Sequence, residues 1–203
     1  MKNAFCTFIY GNYYRFIPYY LLGINKNYPQ ASILILYNNT LPEIYKKLID
    51  TYSNAILFEK VGEDTDWLNN FNHRGAAKQT LRHVLRLDIF NDFDNIYFGD
   101  VDIILLKEEY SLFDFHIKQA KKSGLPFSNR VRPLPNNPET LSNRLTGLHF
   151  VEVKPYYEKM DSVINEFMNN ENYRSDILDK SQRNENVLYY LCMDAFKFNP
   201  FQV

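Results

Sequence analysis

The chain has 203 residues, enough for one domain with a sizeable core. Hydrophobic residues make up 45% and charged residues 23%, a globular rather than a disordered balance. A formal net charge of −1 argues against nucleic-acid binding, which rests on a basic excess, and leaves room only for a local patch that meets a diphosphate.

Residues 4–10 (AFCTFIY) form a first buried strand, followed by a turn at Gly11-Asn12. Pro18 lies near the start of a helical run, IPYYLLGINKN, where its missing N–H costs little. Residues 32–37 (SILILY) are a second strand, closed by Asn38-Asn39. Pro42 opens a helix through Tyr52 with Ile44, Leu48 and Ile49 on one face, and residues 55–59 (AILFE) make a third strand. After a polar loop, residues 74–90 read as one long helix, because Ala77, Leu81, Val84, Leu85 and Ile89 recur at three-to-four spacing. Residues 95–99 (NIYFG) and 103–106 (IILL) are strand-like and flank Asp100-Val101-Asp102. This order predicts an α/β fold whose mostly parallel sheet carries helices on both faces.

The second half is less regular. Pro126, Pro133, Pro135 and Pro138, mixed with Asn and Arg, predict a long binding loop or lid over residues 127–144. Residues 146–153 (TGLHFVEV) return to strand character, and residues 156–168 and 184–192 read as helices. No internal repeat or linker divides the chain, so residues 1–203 are taken as a single domain. Cys6 and Cys192 lie far apart without metal-ligand spacing and read as buried thiols of a reducing compartment. No secretory leader pattern occurs, and no stretch approaches the roughly 18 apolar residues of a membrane span. The expected location is cytoplasmic, with contact at a membrane surface left open.

The chemistry concentrates in DNIYFGDVDIILL. Two carboxylates one residue apart, at the end of a buried strand, are costly unless something neutralises them. A divalent cation does so, and oxygen ligands suit Mn²⁺ or Mg²⁺. The carboxyl end of a parallel strand is also where open α/β sheets bind ligands. A surface turn with two Asp is the plainer alternative.

With this motif the chain resembles a GT-A-fold (Rossmann-like) glycosyltransferase, most similar to the family 8 type that includes glycogenin-like and bacterial galactosyltransferase-like enzymes. The resemblance rests on FCTFIYGNYY, a helix with Lys78, Arg82 and Arg86, then Asp100-Val101-Asp102, Thr146-Gly147-Leu148 and Asn184-Glu185-Asn186. It implies transfer of a sugar from a nucleotide-sugar, with UDP the expected nucleotide, to a hydroxyl of a glycan or other acceptor, in surface glycan or polysaccharide synthesis. Thr7, Tyr10 and Tyr14 would hold the nucleoside, with Tyr14 stacking on the base or else serving as a core residue. Asp100 and Asp102, with Val101 between them, would meet the ribose and a Mn²⁺ (or Mg²⁺) that bridges the phosphates. Lys78, Arg82 and Arg86 on one helical face would steady the donor, or pair with Asp88 or Asp92. Gly147 would line the acceptor side, with His149 either beside it or structural. Glu185 and Asn184 would lie under the anomeric carbon, or Glu185 would simply favour the helix start.

Family members usually continue past the equivalent of FKFNPF into a segment that supplies a metal-binding His and a Lys, whereas this chain ends at Val203. The third metal ligand is then left to water or His149, and a trimmed C-terminus or a short form are both open. Retention of configuration is implied by the resemblance alone. Two rival readings are a haloacid dehalogenase-like phosphatase, in which Asp100 would be the nucleophile, and a nucleotide-sugar-binding domain without turnover. The mid-chain position of the motif and Ile103 after it fit the phosphatase poorly.

Overall fold

The computed structural model describes residues 1–62 and 74–203, apart from the side chains of residues 74–78. Three strands, β1 (Asn3–Ile9), β2 (Ser32–Tyr37) and β3 (Ala55–Phe58), alternate with helices α1 (Ile17–Asn27) and α2 (Glu43–Asp50). Helix α3 (Arg74–Val84) leads to β4 (Asn95–Gly99), and α4 (Leu112–Ser123) to β5 (Phe127–Ser128). A hairpin of β6 (Val131–Leu134) and β7 (Asn137–Leu145) precedes β8 (His149–Glu152). Helices α5 (Val153–Asn169), α6 (Glu171–Asp179) and α7 (Asn184–Phe196) close the chain.

The central sheet has the order β3-β2-β1-β4-β8-β5. β1 pairs in parallel with both β2 and β4, whereas β8 runs antiparallel to β4 and β5. The near-continuous apolar runs of β1, β2 and β4 follow from burial on both faces. Ala4, Cys6, Phe8, Leu34 and Ile96 pack on one side with α3, α5, α6 and α7. Phe5, Ile9, Ile33, Ile35 and Tyr97 pack on the other with α1, α2 and α4. Among the described residues, no helix is long and apolar enough to cross a membrane.

Three expectations from the sequence need correction. The helix expected over residues 74–90 stops at Val84, and a 3-10 turn at Asp88–Asp92 follows. Leu85 and Ile89 still pack on the core, so an apolar rhythm persists through a broken helix. Residues 103–106 are not a strand. After Asp102 the chain leaves the sheet and crosses α1, where Asn27 donates to the Leu105 carbonyl at 2.8 Å. Gly23 permits this approach, since a Cβ there would lie 3.1 Å from that same oxygen. Residues 127–144 are not a bare loop but contain β5 and the β6–β7 hairpin. Pro133 lies at a register irregularity of the two-stranded ribbon, a position that needs no ladder donor.

Three imidazoles are held neutral inside this fold. Burial pushes His149 down to about 3 and His116 to about 4, with the Arg82 charge adding to the effect on His149. Burial and Arg82 likewise hold His83 well below its ordinary value of 6.5. The unfolded chain binds these protons near pH 6.5 and the folded chain only far below it. Their contribution to stability is therefore complete above about pH 6.5 and is lost as the pH falls toward 3–4. Thermal melts across pH 4–8 should show a falling midpoint below about pH 6.5, with net proton uptake on unfolding at about pH 5; a midpoint independent of pH in that range would contradict it.

Candidate functional site

The strand order reverses between β1 and β4, because the chain winds outward to β3 and then returns to the far side of β1. Loops leaving the carboxyl ends of β1 and β4 diverge there and open a crevice. The crevice is a cleft of about 480 Å³ lined by Phe8, Tyr10, Tyr13, Gln79, Arg82, Asp100, Val101, Asp102, Arg183, Asn184 and Glu185.

Asp100 and Asp102 are exposed on either side of Val101, which is buried at 4% exposure. The apolar residue anchors the turn while its two neighbours project into the cleft. Arg82, on the last turn of α3, forms an ion pair with Asp100; its side chain is 9% exposed and that of Asp100 is 49% exposed. The guanidinium also donates from Nε to His83 Nε2 at 3.1 Å, and the Asn184 amide lies 3.5 Å from the same nitrogen. A neutral imidazole accepting at Nε2 carries its proton on Nδ1. His83 therefore links the buried Asn184 at the start of α7 to Arg82, and Arg82 to Asp100.

Gly147 closes the group. A Cβ at this position would lie 2.7 Å from Arg82 Nη2, 3.6 Å from Asp100 Oδ2 and 3.7 Å from Glu185 Oε1. β4, α3, α7 and the segment entering β8 thus meet where only a hydrogen fits. Glu185, in the first turn of α7 with a side chain 14% exposed, is 3.4 Å from Arg132 Nη2 on β6. Asn186 donates to the Asn143 carbonyl at 2.8 Å, and the Arg183 N–H donates to Asn186 Oδ1. These bonds fix the start of α7 against the hairpin.

Seven of the residues singled out in the sequence line this cleft: Tyr10, Arg82, Asp100, Val101, Asp102, Asn184 and Glu185. Gly147 abuts it. Tyr14 does not line it; its ring packs edge-on against Tyr37 and Tyr45. Tyr13 takes its place, 5.7 Å from the Tyr10 ring at an interplanar angle of 32°. The reason is local, since residues 11–16 form a 3-10 turn in which positions three apart share a face. Tyr10 and Tyr13 therefore align, and Tyr14 turns to the core.

Thr7 is sealed beneath the cleft at 1% exposure, its hydroxyl without a partner. Arg86 is not on the helical face of Arg82, because α3 ends two residues before it. It bonds Asp161 at 3.1 Å and covers the Tyr157 ring at 4.0 Å, rather than pairing with Asp88 or Asp92. His149 is interior as well, between the Asn129 amide at 2.9 Å and the Tyr156 hydroxyl at 3.1 Å, so neither an acceptor-side nor a metal-ligand role is open to it. Lys78 lies outside the described side chains. Phe8, Tyr13, Gln79, Arg132 and Arg183 were not foreseen. Of these only Tyr13 had a signal, its spacing of three from Tyr10.

No protein-family model and no curated protein matches the sequence. Solved structures do share the architecture. The glycosyltransferase GlyE of Streptococcus pneumoniae TIGR4 superposes with a TM-score of 0.57 at 12% identity, over 96% of this chain and 44% of its own. The galactosyltransferase LgtC, in complex with donor and acceptor sugar analogs, superposes with a TM-score of 0.57 at 11% identity, over 91% of this chain and 69% of its own. The fold is GT-A. The chain thus spans less than half the length of GlyE and about two thirds of LgtC. In this GT-A sheet the cleft lies at the carboxyl ends of the parallel neighbours β1 and β4.

Two substitutions probe this geometry. Asp100→Asn leaves Arg82 without its counter-charge, and because Asp100 is half-exposed the loss should fall between the exposed and buried limits, about 1–2 kcal/mol in denaturant unfolding. Gly147→Ala meets a flexible guanidinium rather than backbone, so it should fold with a smaller loss, under about 1 kcal/mol, while displacing Arg82. Equal, large losses for both variants would contradict this assignment.

Proposed function

We propose that the chain transfers a sugar from a nucleotide-sugar to a hydroxyl acceptor, with Mn²⁺ or Mg²⁺ at Asp100 and Asp102. The observation that carries this reading is the placement of both carboxylates, beside an aromatic wall and a buried guanidinium, at the switch point of the GT-A sheet. Among the described residues no third His, Cys, Asp or Glu groups with them. Such a donor set fits a hard cation that keeps waters and takes further oxygens from a diphosphate. When bound, the ion would act as a Lewis acid on the leaving diphosphate.

The chain's own residues supply the rest. Tyr10 and Tyr13 form the face against which a base stacks, with UDP the preferred partner by resemblance. Arg82, partly stripped of water and aimed by His83, balances negative charge next to Asp100. Val101 holds the two acidic side chains at a fixed separation. Asn184 and Glu185, at the positive end of α7, face the space above Gly147, where the reacting carbon of the sugar would lie. The absence of a side chain at Gly147 leaves room for the Arg82 guanidinium that borders this space. Glu185 would stabilise positive charge developing on that carbon as the bond to the diphosphate breaks. A phosphatase reading fits the mid-chain position of the motif and Ile103 after it poorly. The buried, unpaired thiols of Cys6 and Cys192 fit a reducing, cytoplasmic setting.

A thermal-shift screen of nucleoside diphosphates and nucleotide-sugars, with and without Mn²⁺, tests the reading. A matched ligand at 100 times its Kd should add about 2.7 kcal/mol of stability. Asp100→Asn and Asp102→Asn should remove the Mn²⁺-dependent part, and Tyr13→Ala should weaken binding by about 1–3 kcal/mol, the usual range for a lost base stack. Unchanged Mn²⁺-dependent binding in both Asp variants would overturn it. Binding without hydrolysis or transfer over a broad acceptor panel would leave a donor-binding module instead.

A further inference from the structure

The β6–β7 hairpin carries charge that the donor site does not use. Residues 127–146 include Arg130, Arg132 and Arg144 and a single acidic residue, Glu139. Val131 and Leu145 are paired across the hairpin and buried at 3% and 0% exposure, packed into the core under α7. Arg130 and Arg132 flank Val131, and Arg144 precedes Leu145. Strand alternation therefore sends Arg132 and Arg144 to the opposite face, whereas Arg130 lies before β6 and lines a separate cavity with Asn129, Thr146 and Leu148.

Like charges across neighbouring strands destabilise a hairpin. Among the described residues, the ion pair that relieves this is Arg132 with Glu185, at 3.4 Å. The Nε atoms of both Arg132 and Arg144 are buried and lack a hydrogen-bond partner. A buried guanidinium N–H without an acceptor is costly. Two of them on one hairpin, with Arg132 held against the cleft residue Glu185, leave guanidinium capacity that suits an anion. The planar forks suit phosphate or carboxylate oxygens.

The position separates this face from the donor's diphosphate. Across the cleft the order is Asp100, Gly147, Glu185 and Arg132: a Cβ at Gly147 would lie within 3.7 Å of both carboxylates, and Arg132 pairs with Glu185. An anion on the hairpin would lie past the reacting sugar, on the side from which an acceptor hydroxyl approaches. We infer that Arg132 and Arg144 on the hairpin form an anion-binding site. Resting on the reading of the preceding subsection, its ligand is an acceptor glycan that carries a phosphate or carboxylate near the hydroxyl to be glycosylated.

Calorimetric titration of the full chain with methyl glucoside, glucose 6-phosphate and glucuronate tests this, at low and at high salt. One or both anionic probes should bind about tenfold more tightly than the neutral one, the effect of one charge-assisted hydrogen bond, and the difference should shrink with salt. Whichever anion is preferred identifies the group. Arg144→Gln should abolish the preference and Arg144→Lys should keep part of it, while the stabilisation by UDP and Mn²⁺ stays unchanged in both. Equal binding of the three probes would overturn the inference. So would loss of the UDP effect in Arg144→Gln, which would assign the arginines to the donor. Binding confined to anionic phospholipid vesicles, with no preference among the soluble sugars, would also overturn it in favour of a membrane contact. If UDP and Mn²⁺ fail to stabilise the chain yet the anionic sugars bind through Arg144, the anion site stands and the donor reading falls.

Discussion

A guanidinium that is nine-tenths buried must be matched by a carboxylate and by acceptors for its remaining N–H groups. Arg82 meets both conditions at one point, through Asp100 on one side and the neutral His83 on the other. This requirement ties together four parts of the chain that are distant in sequence. The end of β4 must present Asp100, and α3 must end so that Arg82 reaches it. α7 must begin where Asn184 can meet His83, and the segment entering β8 must have no side chain at Gly147. Moving any one of these parts leaves a charge or a polar group stranded in a low-dielectric setting.

The sheet itself is divided in a way that matches the proposed chemistry. β1, β2, β3 and β4 form a parallel, doubly covered half whose carboxyl ends supply the aromatic wall and the acidic pair. β8 and β5 extend the sheet in antiparallel fashion to β4, and the β6–β7 hairpin is a separate, partly exposed two-stranded ribbon that carries Arg132 and Arg144. The cleft lies at the carboxyl ends of β1 and β4, and the hairpin meets its edge through the Arg132–Glu185 ion pair. The many exposed polar and proline residues of the hairpin fit a surface that adapts to a ligand, whereas the apolar parallel strands provide a rigid base.

Much of the frame could be read from the chain. The alternating strands and helices up to Gly99, the burial of β1, β2 and β4, and the Asp100-Val101-Asp102 turn all rest on local patterns, which depend on neighbours a few residues apart. The errors have equally local causes. Leu85 and Ile89 continue the spacing of α3 although the helix has ended. The apolar run Ile103–Leu106 has the composition of a strand, yet it lies against α1 because Gly23 lets the backbone approach. In the hairpin, Pro, Asn and Arg obscured strands that need pairing on one side only. Tyr13 and not Tyr14 faces the cleft because a 3-10 turn advances by a third of a circle per residue, which no count of apolar residues reveals.

The sequence by itself determined the α/β class, the order of the parallel strands' elements and the location of the acidic pair, because burial periodicity and the cost of adjacent carboxylates are written in consecutive residues. Only the tertiary structure decided which cations meet that pair. Arg82 and Arg86 are equivalent on a helical wheel, but the end of α3 at Val84 sends one to Asp100 and the other to Asp161 and the Tyr157 ring. His149 and Gly147 lie two residues apart, yet the antiparallel placement of β8 buries one in the core and leaves the other at the cleft. Such choices depend on where separate elements meet in space, and contacts between residues a hundred positions apart leave no trace in local spacing.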